Sequence, residues 1–247
     1  MICDSPWHIQ PSATGRQLVL FPFLGGFGAS FNHLAQRLSG DWDVWAVNPP
    51  GHGPSTAALV HRLDELVRGH ADSLRGVLKP GAVFFGHSMG GIVAHHVLAA
   101  LTVDPAFSGR IPTHLVLSAT VAPRQLLVSG IGNLSDAALL EHLRRFTAIP
   151  DEVANDPSMV EIFLPSFRAD YHVLEDARTS KVPTLDVPGT LILGALDTQT
   201  PAGTSTAWQT HFVGPIQTHV LKGEGHMFIT SAFDALDLIL NNVAAAA

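Results

Sequence analysis

The stretch that most limits what this chain can fold into is residues 83–94. An apolar β-type run, Val83-Phe84-Phe85, enters Gly86-His87-Ser88-Met89-Gly90-Gly91, and a helical pattern leaves through Ile92, Val93 and Ala94. Strand, Gly-x-Ser-x-Gly and helix in that order describe a nucleophile elbow, a tight turn that holds its serine in a strained backbone conformation. Gly86 and Gly90 stand two residues either side of Ser88. Side chains there would collide as strand and helix converge. The turn lifts the Ser88 hydroxyl clear of the sheet edge. It also leaves the Met89 N–H at the start of a helix, where the dipole favours a developing oxyanion. Gly-x-Ser-x-Gly alone is a short pattern; the strand before it and the helix after it give it weight.

A chain of 247 residues has the length of one larger α/β domain with room for a sizeable core. Its net charge of −7, with no basic run, argues against nucleic acid as a partner. The single cysteine, Cys3, excludes an intrachain disulfide and a cysteine-based zinc site. No apolar stretch approaches the roughly 18 residues that a membrane span requires. Residues 1–12 lack a basic segment followed by an apolar one, so no signal peptide is expected. The expectation is a cytoplasmic, monomeric protein without a membrane partner.

Strands are expected at residues 17–21, 43–48, 113–119, 189–193 and 216–221, besides the one that enters the elbow. Amphipathic or apolar helical patterns separate them, including 59–78 before the elbow and about 229–243 at the end. Ser30 is the expected cap of a short helix carrying Phe31, Leu34 and Leu38. The run Pro49-Pro50-Gly51-His52-Gly53-Pro54 reads as a surface loop, with His52 serving the turn. His95 and His96 point about 100° apart on a helix, so they read as surface or packing residues and not as a metal pair.

Between residues 121 and 182 strands vanish and short helices take over. Ser135-Asp136 opens one with Leu139, Leu143 and Phe146 on a face, Asp156-Pro157 opens a second, and Pro165 begins a third. A helical insertion of this size between core strands is expected to form a lid over an active site within a single domain spanning 1–247. The fold class is α/β, a mostly parallel sheet with helices on both faces, of the α/β-hydrolase type.

Catalytic groups in open α/β folds collect at the carboxyl ends of strands. With the chain order serine, acid, histidine, His219 falls inside a strand and His211 at the end of a helical stretch. His226 alone follows a strand in a short glycine-flanked loop. Asp186 precedes its strand, whereas Asp197 follows immediately after one. Ser88 is therefore the expected nucleophile, His226 the base and Asp197 the acid, with the Met89 N–H as an oxyanion donor. The glycine-rich loop 22–28 is not Gly-x-Gly-x-x-Gly followed by a ribose-binding acid, and it lacks the Lys-Ser/Thr of a phosphate loop. It reads as a simple turn or as the loop that supplies a second oxyanion N–H.

Several stretches together resemble the type II thioesterases, the stand-alone editing enzymes of nonribosomal peptide and polyketide synthases, most closely the surfactin-synthetase type. They are Phe21-Pro22-Phe23-Leu24-Gly25-Gly26, Pro49-Pro50-Gly51-His52-Gly53, the elbow, Leu164-Pro165-Ser166-Phe167-Arg168-Ala169-Asp170-Tyr171 and Gly225-His226-Met227-Phe228. The resemblance covers about 17–240. It implies the same Ser88, Asp197 and His226 triad and places the second oxyanion donor at the backbone N–H of Leu24. The family usually has a small residue at that position, so a leucine is expected to narrow the acyl entrance. The implied substrate is an acyl group on the phosphopantetheine arm of a carrier domain, with no cofactor on the enzyme itself. Between 121 and 182 five arginines and one lysine face nine acidic residues, so carrier docking is expected to rest on shape, apolar contacts and a placed charge such as Arg168. The alternatives are a small-molecule carboxylesterase or lipase, a chain-terminating cyclase, and a non-catalytic binding module on the same fold.

Overall fold

The computed structural model describes residues 3–13, 15–145, 151–200 and 203–246. Among them, strands β1 (Trp7–Gln10), β2 (Arg16–Phe21), β3 (Trp42–Ala46), β4 (Val83–His87), β5 (His114–Ser118), β6 (Gly189–Gly194) and β7 (Gln217–Leu221) form one sheet. The helices are α1 (Asn32–Ala35), α2 (Leu63–Leu74), α3 (Met89–Val103), α4 (Asp136–Arg145), α5 (Asp151–Ala154), α6 (Pro157–Thr179), α7 (Thr204–Gln209) and α8 (Phe233–Ala246). Strand order across the sheet is β1-β3-β2-β4-β5-β6-β7. All neighbours run parallel except β1, which pairs antiparallel with β3.

The apolar strand runs are continuous because both faces of the sheet are covered. Side chains alternate between faces. Val19 and Phe21 of β2, Phe84 of β4, and Leu115 and Leu117 of β5 pack with α2, α3, α6 and α7. Leu18, Leu20, Val83, Phe85 and Val116, one residue out of phase, pack with α1 and α8. Fully burying side chains of this size contributes about 1.5–3 kcal/mol each, so a slip by one residue would exchange two complete cores.

The order of the central strands locates the site. The chain passes from β2 to β3 on one side, then returns across β2 to β4 on the other. The loops leaving β2 and β4 diverge from adjacent strand ends, and this reversal opens the crevice in which open α/β folds bind ligands. The Leu24 loop and the elbow lie on its two sides.

Several elements differ from expectation. The sequence reading assigned no strand to residues 7–10; β1 presents exposed Trp7 and His8 and owes its form to pairing with β3. The helix expected at 59–78 is confined to Leu63–Leu74. Ser30 does not cap a helix from outside. It lies inside a 3-10 turn at Gly28–Phe31, where its hydroxyl accepts the Phe27 N–H at 3.1 Å. Pro165 starts no new helix but lies within α6. A proline in a helix interior costs about 3 kcal/mol. Burial of Leu164, Phe167, Tyr171 and Leu174 along one face of α6, at about 2 kcal/mol each, outweighs that cost. Phe146, expected on the face with Leu139 and Leu143, lies outside the described residues. His95 and His96 are buried against neighbouring aromatic rings, so the packing alternative holds for both.

Candidate active site

The elbow begins with geometry that only its glycines permit. Ser88 has φ 54° and ψ −120°, in the positive-φ region that side chains rarely occupy. A side chain on Gly86 would run into the carbonyl of Gly90, and one on Gly90 into the carbonyl of Phe21. The strained turn is fastened by the Ser88 N–H, which donates to the Ser118 carbonyl at the end of β5 at 2.7 Å. Met89 is the first residue of α3, so its N–H belongs to the unpaired first turn of the helix.

Asp197 follows β6 directly, and His226 follows the turn after β7. His226 lies with Nε2 at 2.9 Å from Ser88 Oγ and Nδ1 at 2.8 Å from Asp197 Oδ2. The Asp197 side chain is fully buried. Burial alone would raise its pKa, but the His226 contact, the Gln199 N–H and the Thr200 side chain together hold it below the usual carboxylate value. A carboxylate so held orients the imidazole with Nδ1–H toward Asp197 and the Nε2 lone pair toward the serine. His87, below the pair, is 5.7 Å from the His226 ring, centroid to centroid. Its burial, and then the proximity of His226, push its pKa down to about 3. His87 is therefore neutral at ordinary pH and does not place a competing charge beside the relay. The structure brings Ser88, Asp197 and His226 together, while His219 sits within β7 and His211 beyond α7.

Leu24 and Met89 both line a cavity of about 270 Å³, whose walls also include Ile92, Val128, Leu174 and Met227. Leu24 sits in the turn Phe23–Gly26, closed by the Gly26 N–H donating to the Phe23 carbonyl at 2.8 Å. Among the described residues, neither the Leu24 nor the Met89 N–H donates to a protein acceptor outside regular helices and strands. Polar groups also enter the wall, at Gln125, Thr198 and Gln199 and where His142 Nε2 lies 3.1 Å from the hydroxyl of Tyr171, the chain's only tyrosine.

Sequence reasoning understated two residues. His52 does serve its turn, with Nδ1 3.0 Å from the Pro50 carbonyl, but it is buried and its Nε2 reaches Asp170 Oδ2 of α6 at 3.1 Å. Asp170 had drawn notice only as part of the motif at 164–171. Its burial among loops of the core gives it a partner that no local pattern announces. Arg168, the expected docking charge, donates to the carbonyls of Gly132 and Leu134 and to Asp136, each at 2.6 Å. Its guanidinium braces the segment between β5 and α6 instead of standing free.

Comparison with known proteins gives a consistent picture. A family model described as "Thioesterase domain" matches residues 16–246. The chain is 27% identical to a protein of Brevibacillus parabrevis called linear gramicidin dehydrogenase LgrE, over 98% of this chain and 93% of that one. Among solved structures, the type II thioesterase BorB from the borrelidin biosynthetic cluster superposes with a TM-score of 0.84 at 28% identity, covering 97% of each chain. The thioesterase RedJ from the prodiginine pathway of Streptomyces coelicolor superposes with a TM-score of 0.83 at 28% identity, covering 94% of this chain and 92% of that one.

Proposed function

The chain belongs to the thioesterase domain family, and from that premise we propose that it hydrolyses acyl groups from the phosphopantetheine arm of carrier domains in a modular synthase, with Ser88, His226 and Asp197 as its catalytic triad. The observation that carries the reading is the run of contacts from Ser88 Oγ through His226 to Asp197, at 2.9 and 2.8 Å, opening onto an apolar cavity. The printed roles of BorB and RedJ in biosynthetic pathways support a carrier-bound substrate. The dehydrogenase name of the gramicidin relative does not transfer, because loop 22–28 lacks the dinucleotide fingerprint.

In the first half-reaction Ser88 Oγ attacks the thioester carbonyl as His226 Nε2 takes its proton. The oxyanion is held by the N–H groups of Leu24 and Met89. Collapse breaks the C–S bond, His226 returns the proton to the departing thiol, and the acyl group remains on Ser88. A water then gives a proton to His226 and attacks the ester. The acid leaves, and Ser88 recovers its hydrogen. We read residues 121–182 as the lid of a single domain. A cavity of about 270 Å³ lies just under the roughly 300–1,000 Å³ typical of drug-sized ligands, which suits short and medium acyl chains.

Thioester carbonyls are activated, so hydrolysis of a small thioester proves little. Binding energy from remote contacts should instead enter kcat/KM. We expect at least a tenfold preference, about 1.4 kcal/mol, for an acyl group on a carrier domain over the same group on coenzyme A. Equal values would favour the small-molecule esterase.

A further inference from the structure

Asp170 lies on α6, in the helix that roofs the cavity, yet its carboxylate faces the opposite wall of the site. Oδ2 accepts the backbone N–H of Gly25 at 2.7 Å. Gly25 has φ +72°, while Leu24 is not among the positive-φ residues. With the Gly26 N–H bonded to the Phe23 carbonyl, these angles make Phe23-Leu24-Gly25-Gly26 a type II turn. The type I alternative differs mainly by flipping the peptide between Leu24 and Gly25, which would aim the Gly25 N–H away from α6. Asp170 therefore selects one of two turns and ties it to α6; the flip leaves the Leu24 N–H in its own peptide, so it is the anchoring of the whole turn that fixes where that N–H stands. Phe167, one helical turn earlier on α6, closes the other side: a methyl group on Gly25 would stand 2.5 Å from its ring.

His52 holds the carboxylate in turn. Its two ring nitrogens face two oxygens, the Pro50 carbonyl and Asp170 Oδ2, and only an imidazolium donates to both. Burial opposes that charge, but the Asp170 carboxylate and the Pro50 carbonyl keep the His52 pKa above its ordinary value. The other titratable group facing His52 is His70 from α2. Burial drives its pKa to about 3, so it stays neutral. Loss of the His52 proton would leave a ring lone pair against one of the two oxygens and remove the positive charge beside the carboxylate, loosening the grip on Gly25.

We propose that Asp170, braced by His52, is a positioning residue that fixes the turn aiming the Leu24 N–H at the oxyanion, so that hydrolysis is armed only while α6 is seated. The assignment rests on the reading of Leu24 given above as an oxyanion donor. Misplacing one such donor typically costs about 10²–10³ in rate.

The test compares wild type, Asp170→Ala and Asp170→Asn in two reactions: hydrolysis of an acyl-carrier thioester, and labelling of Ser88 by a fluorophosphonate, whose phosphoryl oxygen occupies the oxyanion site. Asp170→Ala should lower kcat about 100-fold with little change in KM, and slow labelling in parallel. Gly25 N–H and His52 Nε2 meet the same carboxylate oxygen, so an asparagine with its amide oxygen in that place still accepts from Gly25 and from a neutral His52 protonated at Nε2. It should recover most of kcat at neutral pH and lose the alkaline decline that wild type shows as His52 deprotonates. If the alanine variant fails to fold, the asparagine pH profile and the exchange rate of the wild-type Gly25 amide decide. Wild-type rates in Asp170→Ala, an unchanged alkaline limb in Asp170→Asn, or unprotected exchange at Gly25 would each overturn the proposal. A wild type that fails to label at Ser88 would instead refute the triad reading.

Discussion

The backbone N–H of Ser88 donates to the carbonyl of Ser118 at 2.7 Å, and the residue after Ser118 is itself strained. Ala119 has φ 48°, and with Ser88 it completes the positive-φ non-glycine residues among those described. The Ala119 N–H is bonded to the Ile192 carbonyl at 2.8 Å. Two outliers at neighbouring strand ends are thus tied across β4, β5 and β6.

This pairing sets the tolerance at position 119. Ala119→Gly relieves the left-handed conformation but adds chain entropy, so the net change should stay under about 1 kcal/mol. Ala119→Val places a β-branched side chain in that region and should destabilise by about 2 kcal/mol or more. Urea unfolding of the two variants checks the difference.

The triad variants should behave as one unit. Ser88→Ala should abolish turnover while retaining fold and substrate binding, and His226→Ala should be nearly as damaging. Asp197→Asn should lower kcat by about 10⁴-fold through the wrong imidazole tautomer. Single-turnover kinetics, with intact-mass detection of an acyl adduct on Ser88 in wild type, provide the measurement.

Leu24 lines the cavity. Leu24→Ala leaves the backbone donor in place and removes side-chain bulk from the entrance. The kcat/KM profile across acyl chain length should extend toward branched and longer groups. An unchanged profile would show that Leu24 does not set the limit.

Asp43 gives the fold an acid-sensitive joint between β1 and β3. Burial would raise its pKa, but hydrogen bonds from Lys79, His8, Ser12 and Trp45 hold it at about 2. A depressed carboxylate contributes stability that is present above the unfolded value and lost as pH falls through the folded one. The loss should therefore fall between about pH 4 and pH 2. Asp43→Asn should cost about 2 kcal/mol at pH 7 and flatten that part of the stability curve, as denaturant midpoints measured against pH would show.

The proposed set of Ser88, Asp197 and His226 was legible because each member follows, within a few residues, a strand whose apolar run is easy to see. Asp197 and Asp186 carry the same chemistry and lie at opposite ends of one strand, so strand polarity alone separates them. β1 was not legible, since Trp7 and His8 are exposed and its form comes from a partner more than thirty residues away. Asp170 escaped for a related reason. It bonds a backbone N–H 145 positions distant, and a backbone donor leaves no mark in a sequence. Pro165 misled because its local cost is written in the chain, whereas the packing of α6 that overrides it is not.

The second half of α6 carries a consequence for anyone recombining these enzymes. Phe167 and Asp170 touch the turn after β2, while Tyr171 and Leu174 line the cavity. If this segment is the lid proposed above, the segment exchanged to alter substrate range is the one that holds the loop at Leu24. A graft of a foreign roof from 121 to 182 therefore imports half of a two-piece interface and leaves its mate behind. Such hybrids should fold, bind and hydrolyse poorly until residues 23–26 and 52 are transplanted with the graft. On the reading proposed above, the roof and the loop at Leu24 act as one module, though more than a hundred residues of chain lie between Leu24 and α6.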